Sequence, residues 1–223
     1  MTPKQKVTVA VVDYGLGNLF SIERALKHIG ADCLITDNKD AIINCERVIL
    51  PGVGAFADAM KGLEAKGLIG ALNKIAEKKV PLLGICLGMQ LMMTESEEFG
   101  RHNGLGLVCG KVVRLQETPS LEARTKVPHI GWNTINGSDG SRWEKTMLEG
   151  LENGEFMYFV HSYAVMPDEY SCVLATTTYG KDKFCSVMAT GSIMGCQFHP
   201  EKSAEAGLGI LRKFVFNNFD GYA

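Results

Sequence analysis

No run of eighteen apolar residues occurs anywhere in the 223-residue chain, so no membrane-spanning helix of ordinary length is expected. The opening residues Met1-Thr2-Pro3-Lys4-Gln5-Lys6 lack the apolar stretch of a secretion signal. Basic charge is not in excess either. Lys and Arg number 23 against 25 Asp and Glu, a formal net charge of -2, which gives no electrostatic reason to expect a nucleic acid partner. The seven cysteines contain no Cys-x-x-Cys pair. Odd in number and scattered, they predict neither a disulfide framework nor structural zinc, and they fit a reduced, cytoplasmic protein. Cys33, Cys45, Cys109, Cys172, Cys185 and Cys196 sit mostly in apolar runs and read as small core residues. A phosphate loop of the form Gly-x-x-x-x-Gly-Lys-Ser/Thr is missing, and Gly15-Leu16-Gly17 lacks the third glycine of a dinucleotide fingerprint. No metal and no cofactor are expected.

What is present is the composition of an ordinary globular protein, 46% hydrophobic and 22% charged. The length suits one substantial core, and no linker rich in Gly, Ser or Pro divides it, so a single domain over residues 1–223 is expected. Val7 to Val12 is a continuous apolar run and reads as a buried strand. Asn18 can cap a following helix with Leu19, Ile22, Leu26 and Ile29 on one face. Further strands are expected at Ala31 to Thr36, Arg47 to Leu50 and Val80 to Ile85, with helices between them. That rhythm is an open α/β fold with a mostly parallel central sheet. From residue 104 strand signals dominate: Gly104 to Leu115, Lys126 to Ile135, Glu155 to Val165, Cys172 to Thr178, Phe184 to Thr190 and Ile193 to Phe198. Turns are expected at Asn136-Gly137 and at Thr190-Gly191-Ser192, and a polar loop from Glu117 to Lys126. An additional antiparallel region beside the parallel sheet follows. A closing helix carries Leu208, Leu211, Phe214, Val215 and Phe219.

The chemistry concentrates in two segments. Pro81-Leu82-Leu83-Gly84-Ile85-Cys86-Leu87-Gly88-Met89-Gln90 is an apolar strand ending in a cysteine flanked by two glycines. Gly-x-Cys-x-Gly after a strand has the form of a nucleophile elbow, with sulfur in place of the serine oxygen. Such a turn leaves room only for small residues two before and two after the nucleophile. It presents the thiol at a helix N-terminus, where thiolate and oxyanion are both favoured. Downstream, Gly195-Cys196-Gln197-Phe198-His199-Pro200-Glu201 supplies a base. His199 and Glu201 are two apart and point to one side of an extended chain, so the carboxylate can orient the imidazole. Cys86, His199 and Glu201 form a candidate triad. His161 competes as a base, but it lacks the carboxylate two residues on. His129 lacks an adjacent carboxylate too and reads as structural or interfacial. Pro51-Gly52-Val53-Gly54 is a turn whose glycines let peptide N–H groups face a ligand, and the Gly52–Val53 region can donate to an oxyanion.

These segments resemble the class I, triad-type glutamine amidotransferases. Gly84-Ile85-Cys86-Leu87-Gly88-Met89-Gln90 and Phe198-His199-Pro200-Glu201-Lys202-Ser203 carry that likeness. Pro51 to Phe56, Pro128-His129-Ile130-Gly131-Trp132-Asn133 and Tyr158-Phe159-Val160-His161-Ser162-Tyr163 narrow it to the branch that serves a HisF-like (β/α)8-barrel cyclase. The resemblance implies a flavodoxin-like fold with helices on both faces of the sheet. It implies hydrolysis of L-glutamine through a cysteine thioester and delivery of ammonia to the cyclase in a 1:1 heterodimer. Leu87 and the Gly52–Val53 peptide would hold the oxyanion. Gln90 and the His161-Ser162-Tyr163 backbone would bind glutamine. Asn18, Arg24, Trp132, Tyr158 and Lys202 match interface positions, although a helix cap, a core tryptophan and solvated charges explain them equally. A related amidotransferase feeding amino-sugar synthesis in a surface-polysaccharide pathway would carry the same residues. A cysteine protease or γ-glutamyl hydrolase of similar fold would need no synthase partner.

Overall fold

In the first strand, β1 (Thr8–Val12), successive side chains serve two cores. Val9 and Val11 belong to the cluster that holds Ile22, Leu26 and Phe214, and Ala10 and Val12 to the one that holds Ile42, Phe56 and Leu72. A pleated strand that is apolar on both faces needs cover on both, and helices provide it here. The structure is a computed structural model that describes residues 7–117, 125–138 and 143–218.

The chain continues through α1 (Leu19–His28), β2 (Asp32–Thr36), α2 (Lys39–Ile43), β3 (Arg47–Leu50), α3 (Phe56–Ala65), α4 (Ile69–Glu77), β4 (Leu82–Ile85) and α5 (Leu87–Leu91). Then come β5 (Met93–Ser96), β6 (His102–Asn103), β7 (Val108–Arg114), β8 (His129–Gly137), β9 (Glu155–His161), β10 (Tyr163–Pro167), β11 (Val173–Tyr179), β12 (Asp182–Thr190), β13 (Ile193–Cys196) and α6 (Ala204–Phe216). Asn18 caps α1 as expected, its Oδ1 accepting from the Ser21 N–H. No helix among the described residues is long and apolar enough to cross a membrane.

One nine-stranded sheet runs β2-β1-β3-β4-β13-β12-β11-β8-β9, and β10-β7-β5-β6 form a second sheet. The large sheet changes character at β13. The pairs from β2 to β13 are parallel, and those from β13 to β9 are antiparallel. The flavodoxin-like α/β fold is therefore present, with a parallel central part and the additional antiparallel region. Part of the antiparallel region extends the central sheet instead of lying beside it.

Four local expectations are corrected. Asn136 and Gly137 are not a turn. They end β8 and pair with Thr176 and Ala175, because partner strands on both sides outweigh the dipeptide's turn preference. Glu155 to Val165 is two strands, broken at Ser162, with β9 in the large sheet and β10 in the small one. The helical stretch after Pro51-Gly52-Val53-Gly54 is two helices, α3 and α4. Cys109 is exposed, because alternation along β7 turns it outward. Phe219 and most of the Glu117 to Lys126 loop lie outside the described residues.

The sheet positions the chemistry. β4 and β13 are parallel neighbours in register Ile85↔Cys196, and the Cys86 N–H donates to the Cys196 carbonyl at 2.8 Å. The residues that follow each strand emerge side by side at the carboxyl edge, where open α/β sheets bind ligands.

Candidate active site

Cys86 sits at φ 53°, ψ -110°, between the end of β4 and the start of α5. A non-glycine residue there carries strain of about 1–3 kcal/mol, which the surrounding packing must hold in place. The two flanking glycines are required by close approach. A Cβ on Gly84 would lie 2.7 Å from the backbone N and Cα of Met89, and one on Gly88 would overlap the Leu50 carbonyl oxygen. Thus β3, β4 and α5 are locked together around the thiol. The Leu87 N–H belongs to the first residue of α5, where helical N–H groups lack intrahelical acceptors.

His199 follows β13 and is held from both ends of its backbone. Its N–H donates to the Tyr158 carbonyl at 2.9 Å, and its own carbonyl accepts from Ser203 Oγ at 2.7 Å. The Ser203 oxygen in turn accepts the Tyr158 N–H at 3.0 Å. Pro200 opens the 3-10 turn Pro200–Lys202, which brings Glu201 back under the imidazole. His199 Nδ1 donates to Glu201 Oε1 at 2.8 Å, with both side chains buried. That bond fixes the tautomer and leaves Nε2 free for a proton. Nε2 is buried and makes no hydrogen bond, and the Cys86 thiol donates instead to the Val160 carbonyl at 3.7 Å. The sulfur is nonetheless near enough to favour the imidazolium. Burial pushes the His199 pKa down, but Cys86 and Glu201 outweigh it and raise it to about 10.

A raised folded-state value makes the stabilisation from this pair fully present below the ordinary histidine value near 6.5, and lost as pH climbs toward about 10. Glu201→Gln removes the charge partner. Melting temperatures of wild type and variant should therefore differ most near pH 6 and converge toward pH 10. A gap that is constant across that range would show that no charge coupling exists.

A cavity of about 280 Å³ opens over the sulfur, lined by Val53, Gly54, Cys86, Leu87, Gln90, Glu98, Pro128, Val160, His161, Ser162 and Tyr163. It thus gathers Cys86, Val53, Leu87, Gln90 and the His161-Ser162-Tyr163 segment around one space. Gly52 lies behind it, where an added Cβ would meet the Tyr14 hydroxyl oxygen at 2.6 Å. His161 cannot act as the base. Its Nδ1 is bound to the Tyr163 carbonyl at 2.9 Å and its Nε2 to His129 Nδ1 at 3.0 Å. Burial, chiefly, lowers its pKa to about 3. His129 is structural, stacked between Phe159 and Tyr179.

Three residues at the site were not visible in the sequence. Glu98 lines the cavity and accepts the Phe56 N–H at 2.6 Å, tying the start of α3 to the substrate space. A carboxylate there can meet an ammonium group. Tyr14 donates to the Pro51 carbonyl at 2.8 Å and so fixes the peptide just before Gly52. Burial and then the nearby Cys86 raise the Tyr14 pKa, which keeps this donor protonated. Gln197 donates to the Cys86 sulfur at 3.6 Å. The only sequence signal for these was proximity to a motif, and only for Tyr14 and Gln197.

Of the residues matched to interface positions, Trp132, Tyr158 and Lys202 lie together, and Arg24 is exposed on α1. Trp132 is 53% exposed and meets Tyr158 edge to face at 6.1 Å, so it is no core residue. Lys202 lies 5.8 Å above the Tyr158 ring, and Arg24 5.7 Å from the Phe20 ring. α1, which follows Asn18 and carries Arg24, packs against the 3-10 turn that carries Lys202.

Comparison with known proteins matches this arrangement. The family model described as "Glutamine amidotransferase class-I" matches residues 10–218. The chain is 42% identical over 209 residues to imidazole glycerol phosphate synthase subunit HisH 1 of Legionella pneumophila (strain Lens), covering 93% of this chain and 98% of that one. It is 45% identical over 206 residues to the HisH subunit of Moorella thermoacetica, covering 92% and 93%. Among solved structures, PurLQS from Thermotoga maritima superposes with a TM-score of 0.69 at 19% identity, over 95% of this chain and 98% of that one. A structure described as a glutamine amidotransferase gives the same TM-score and identity, over 92% and 97%.

Proposed function

The chain belongs to the class-I glutamine amidotransferases, and from that premise we propose that it is the glutaminase subunit of imidazole glycerol phosphate synthase. The observation that carries the chemistry is the strained cysteine beside a buried His199–Glu201 pair bonded at 2.8 Å. Near full-length similarity to HisH subunits carries the assignment to that synthase.

The mechanism follows from the geometry. Cys86 Sγ attacks the side-chain amide carbon of L-glutamine in the cavity, and its proton resides on His199 Nε2. The carbonyl oxygen becomes an oxyanion beside the Leu87 N–H and the Gly52–Val53 peptide. Each well-placed donor there contributes about 3 kcal/mol to the transition state. The intermediate collapses as His199 gives its proton to the departing nitrogen, and ammonia leaves a thioester. Water, activated by His199, cleaves the thioester to glutamate and restores the thiol. Glu201 orients His199 and stabilises its charged form. Gln90, Glu98 and the His161-Ser162-Tyr163 backbone position the amino acid.

Ammonia loses its nucleophilicity once protonated in water, so the product must pass to an acceptor directly. The Trp132–Tyr158–Lys202 cluster, with Asn18 and Arg24 on the neighbouring α1 segment, suits that partner. Phe20 at 64% and Ile130 at 60% exposed add apolar area to it. The partner is a HisF-like (β/α)8-barrel cyclase, paired 1:1, that joins ammonia to the nucleotide PRFAR. The products are imidazole glycerol phosphate and AICAR.

The test is reconstitution. Glutamate release from glutamine is measured for the subunit alone, with the cyclase, and with the cyclase plus PRFAR. Release should rise on each addition, with imidazole glycerol phosphate formed in equal amount. Glutamine turnover with no product from PRFAR would place the subunit in another amination, such as that of a surface-polysaccharide sugar.

A further inference from the structure

Gln197 is completely buried, yet its side chain is not used up by structural bonds. Its Oε1 accepts from Gln90 Nε2 at 3.1 Å, and its Nε2 points at the Cys86 sulfur, 3.6 Å away. We propose that Gln197 is a further catalytic residue, whose side-chain amide donates a hydrogen bond to the Cys86 sulfur as that sulfur becomes anionic. The proposal rests on the thioester reading of Cys86 given above and adds a member to that site.

Which end of the Gln197 amide meets the sulfur follows from its neighbours. The Tyr163 carbonyl can only accept. It takes one hydrogen bond from Gln90 Nε2 at 2.8 Å and one from His161 Nδ1 at 2.9 Å, which occupies both lone pairs. Turning the Gln90 amide over would set oxygen against oxygen, so Gln90 presents nitrogen. Its second N–H then faces Gln197, which must present oxygen there and nitrogen to the sulfur. The carbonyl is itself braced. His161 donates from Nδ1, so its Nε2 accepts from His129 Nδ1 at 3.0 Å, and His129 Nε2 accepts from Asn133 Nδ2 at 3.3 Å. Burial keeps both histidines neutral, with His161 lowered to about 3 and His129 to about 4. Each link therefore has one direction over the working pH range.

The chemistry at the end of this chain is a donor held on sulfur. When the thiol proton moves to His199 Nε2, Gln197 keeps both of its own protons and meets the new negative charge. A hydrogen bond to an ion is stronger than one to a neutral group, so the contact favours the thiolate over the thiol. The same donor meets the thiolate again when it leaves the thioester in the second half of the reaction. Lying just past the end of β13, beside the elbow, Gln197 approaches the sulfur independently of the oxyanion donors.

Inactivation by iodoacetamide reads this directly, because alkylation reports the thiolate and requires no glutamine. The rate is followed from pH 5 to 10 for wild type, Gln197→Glu and Gln197→Met, each bound to the cyclase partner. The midpoint should move to higher pH by about one unit or more in both variants, further in Gln197→Glu, where a carboxylate replaces the donor. Glutamine turnover should fall about 10- to 100-fold in kcat with KM within about twofold. A midpoint unchanged in variants that melt cooperatively overturns the proposal. Should both fail to fold, Gln90→Met leaves Gln197 in place but unheld, and a smaller upward shift is expected. No shift there overturns the proposal as well. Wild type that is alkylated normally but never turns over glutamine would sink the glutaminase reading alone.

Discussion

With Cys86→Ala, glutamine-dependent synthesis by the reconstituted enzyme should fall by about 10⁴-fold or more, while synthesis from added ammonium salt continues at the wild-type rate. The split follows from division of labour between chains. The thioester requires Sγ, and nothing else lining the cavity can replace it. His161 has both ring nitrogens engaged, and among the described residues the Ser162 side chain makes no hydrogen bond to a base. The acceptor chemistry belongs to the partner and receives ammonia from any source. Stability adds a second readout. At φ 53° alanine is as strained as cysteine, so Cys86→Ala is the reference against which relief of strain is read. Cys86→Gly is equally inactive but relieves the strain, and should be more stable by about 1 kcal/mol, a rise of about 2–4 °C for a chain of this size. Equal melting temperatures for the glycine and alanine variants would mean that the elbow stores no strain. Retained glutamine turnover in either would end the assignment of Cys86.

The elbow could be read without a structure because its physics is local. Two glycines at fixed spacing, a strand before and a helix after specify the turn within a dozen residues. The His199–Glu201 pair was legible because the two residues are close in sequence, but the contact is made by the Pro200–Lys202 turn and not by alternation along an extended chain. The parallel half of the sheet, from β1 to β4, was legible as a class because strands and helices alternate there. Beyond β13, short turns join β13 to β12 and β12 to β11, but the pairing of β11 with β8 joins segments far apart in sequence, and periodicity does not reveal it. Glu155 to Val165 is rich in aromatic and β-branched residues on both sides of the polar pair His161-Ser162, and that pair alone does not mark the point where the chain leaves one sheet for the other. Asn136-Gly137 carries a turn signal that β11 overrides. Met93–Ser96 and His102–Asn103 are too short and too polar to announce themselves as strands. At the site the same division holds. Glu98 reaches Phe56 across 42 residues, and Gln197 reaches Cys86 across 111. Gln197 stood in plain view two residues before the base, but its contact exists only because β4 and β13 are neighbours.

Gly88→Ala should destabilise the protein by at least about 3 kcal/mol, more than the usual cost of one extra methyl group. The added Cβ would overlap the Leu50 carbonyl oxygen, and it would stand 2.8 Å from the Leu50 carbonyl carbon and 3.3 Å from that of Pro51. All three are backbone atoms, so no side chain can turn aside to make room. Leu50 ends β3 and is paired with Gly84 of β4, so yielding there breaks the sheet beside the nucleophile. Pro51 is held by Tyr14 and leads into the Gly52–Val53 peptide, so yielding there displaces the oxyanion donor. The variant that survives should therefore lose kcat as well as stability. Gly70 in α4 and Gly209 in α6 are the controls, since a Cβ at either meets nothing within 4 Å. Alanine at those helical sites should stabilise by about 0.5–1 kcal/mol. Urea unfolding of the three variants separates the outcomes. If Gly88→Ala unfolds within about 1 kcal/mol of wild type, then α5 does not press on the end of β3, and the account of how Cys86 is held is wrong.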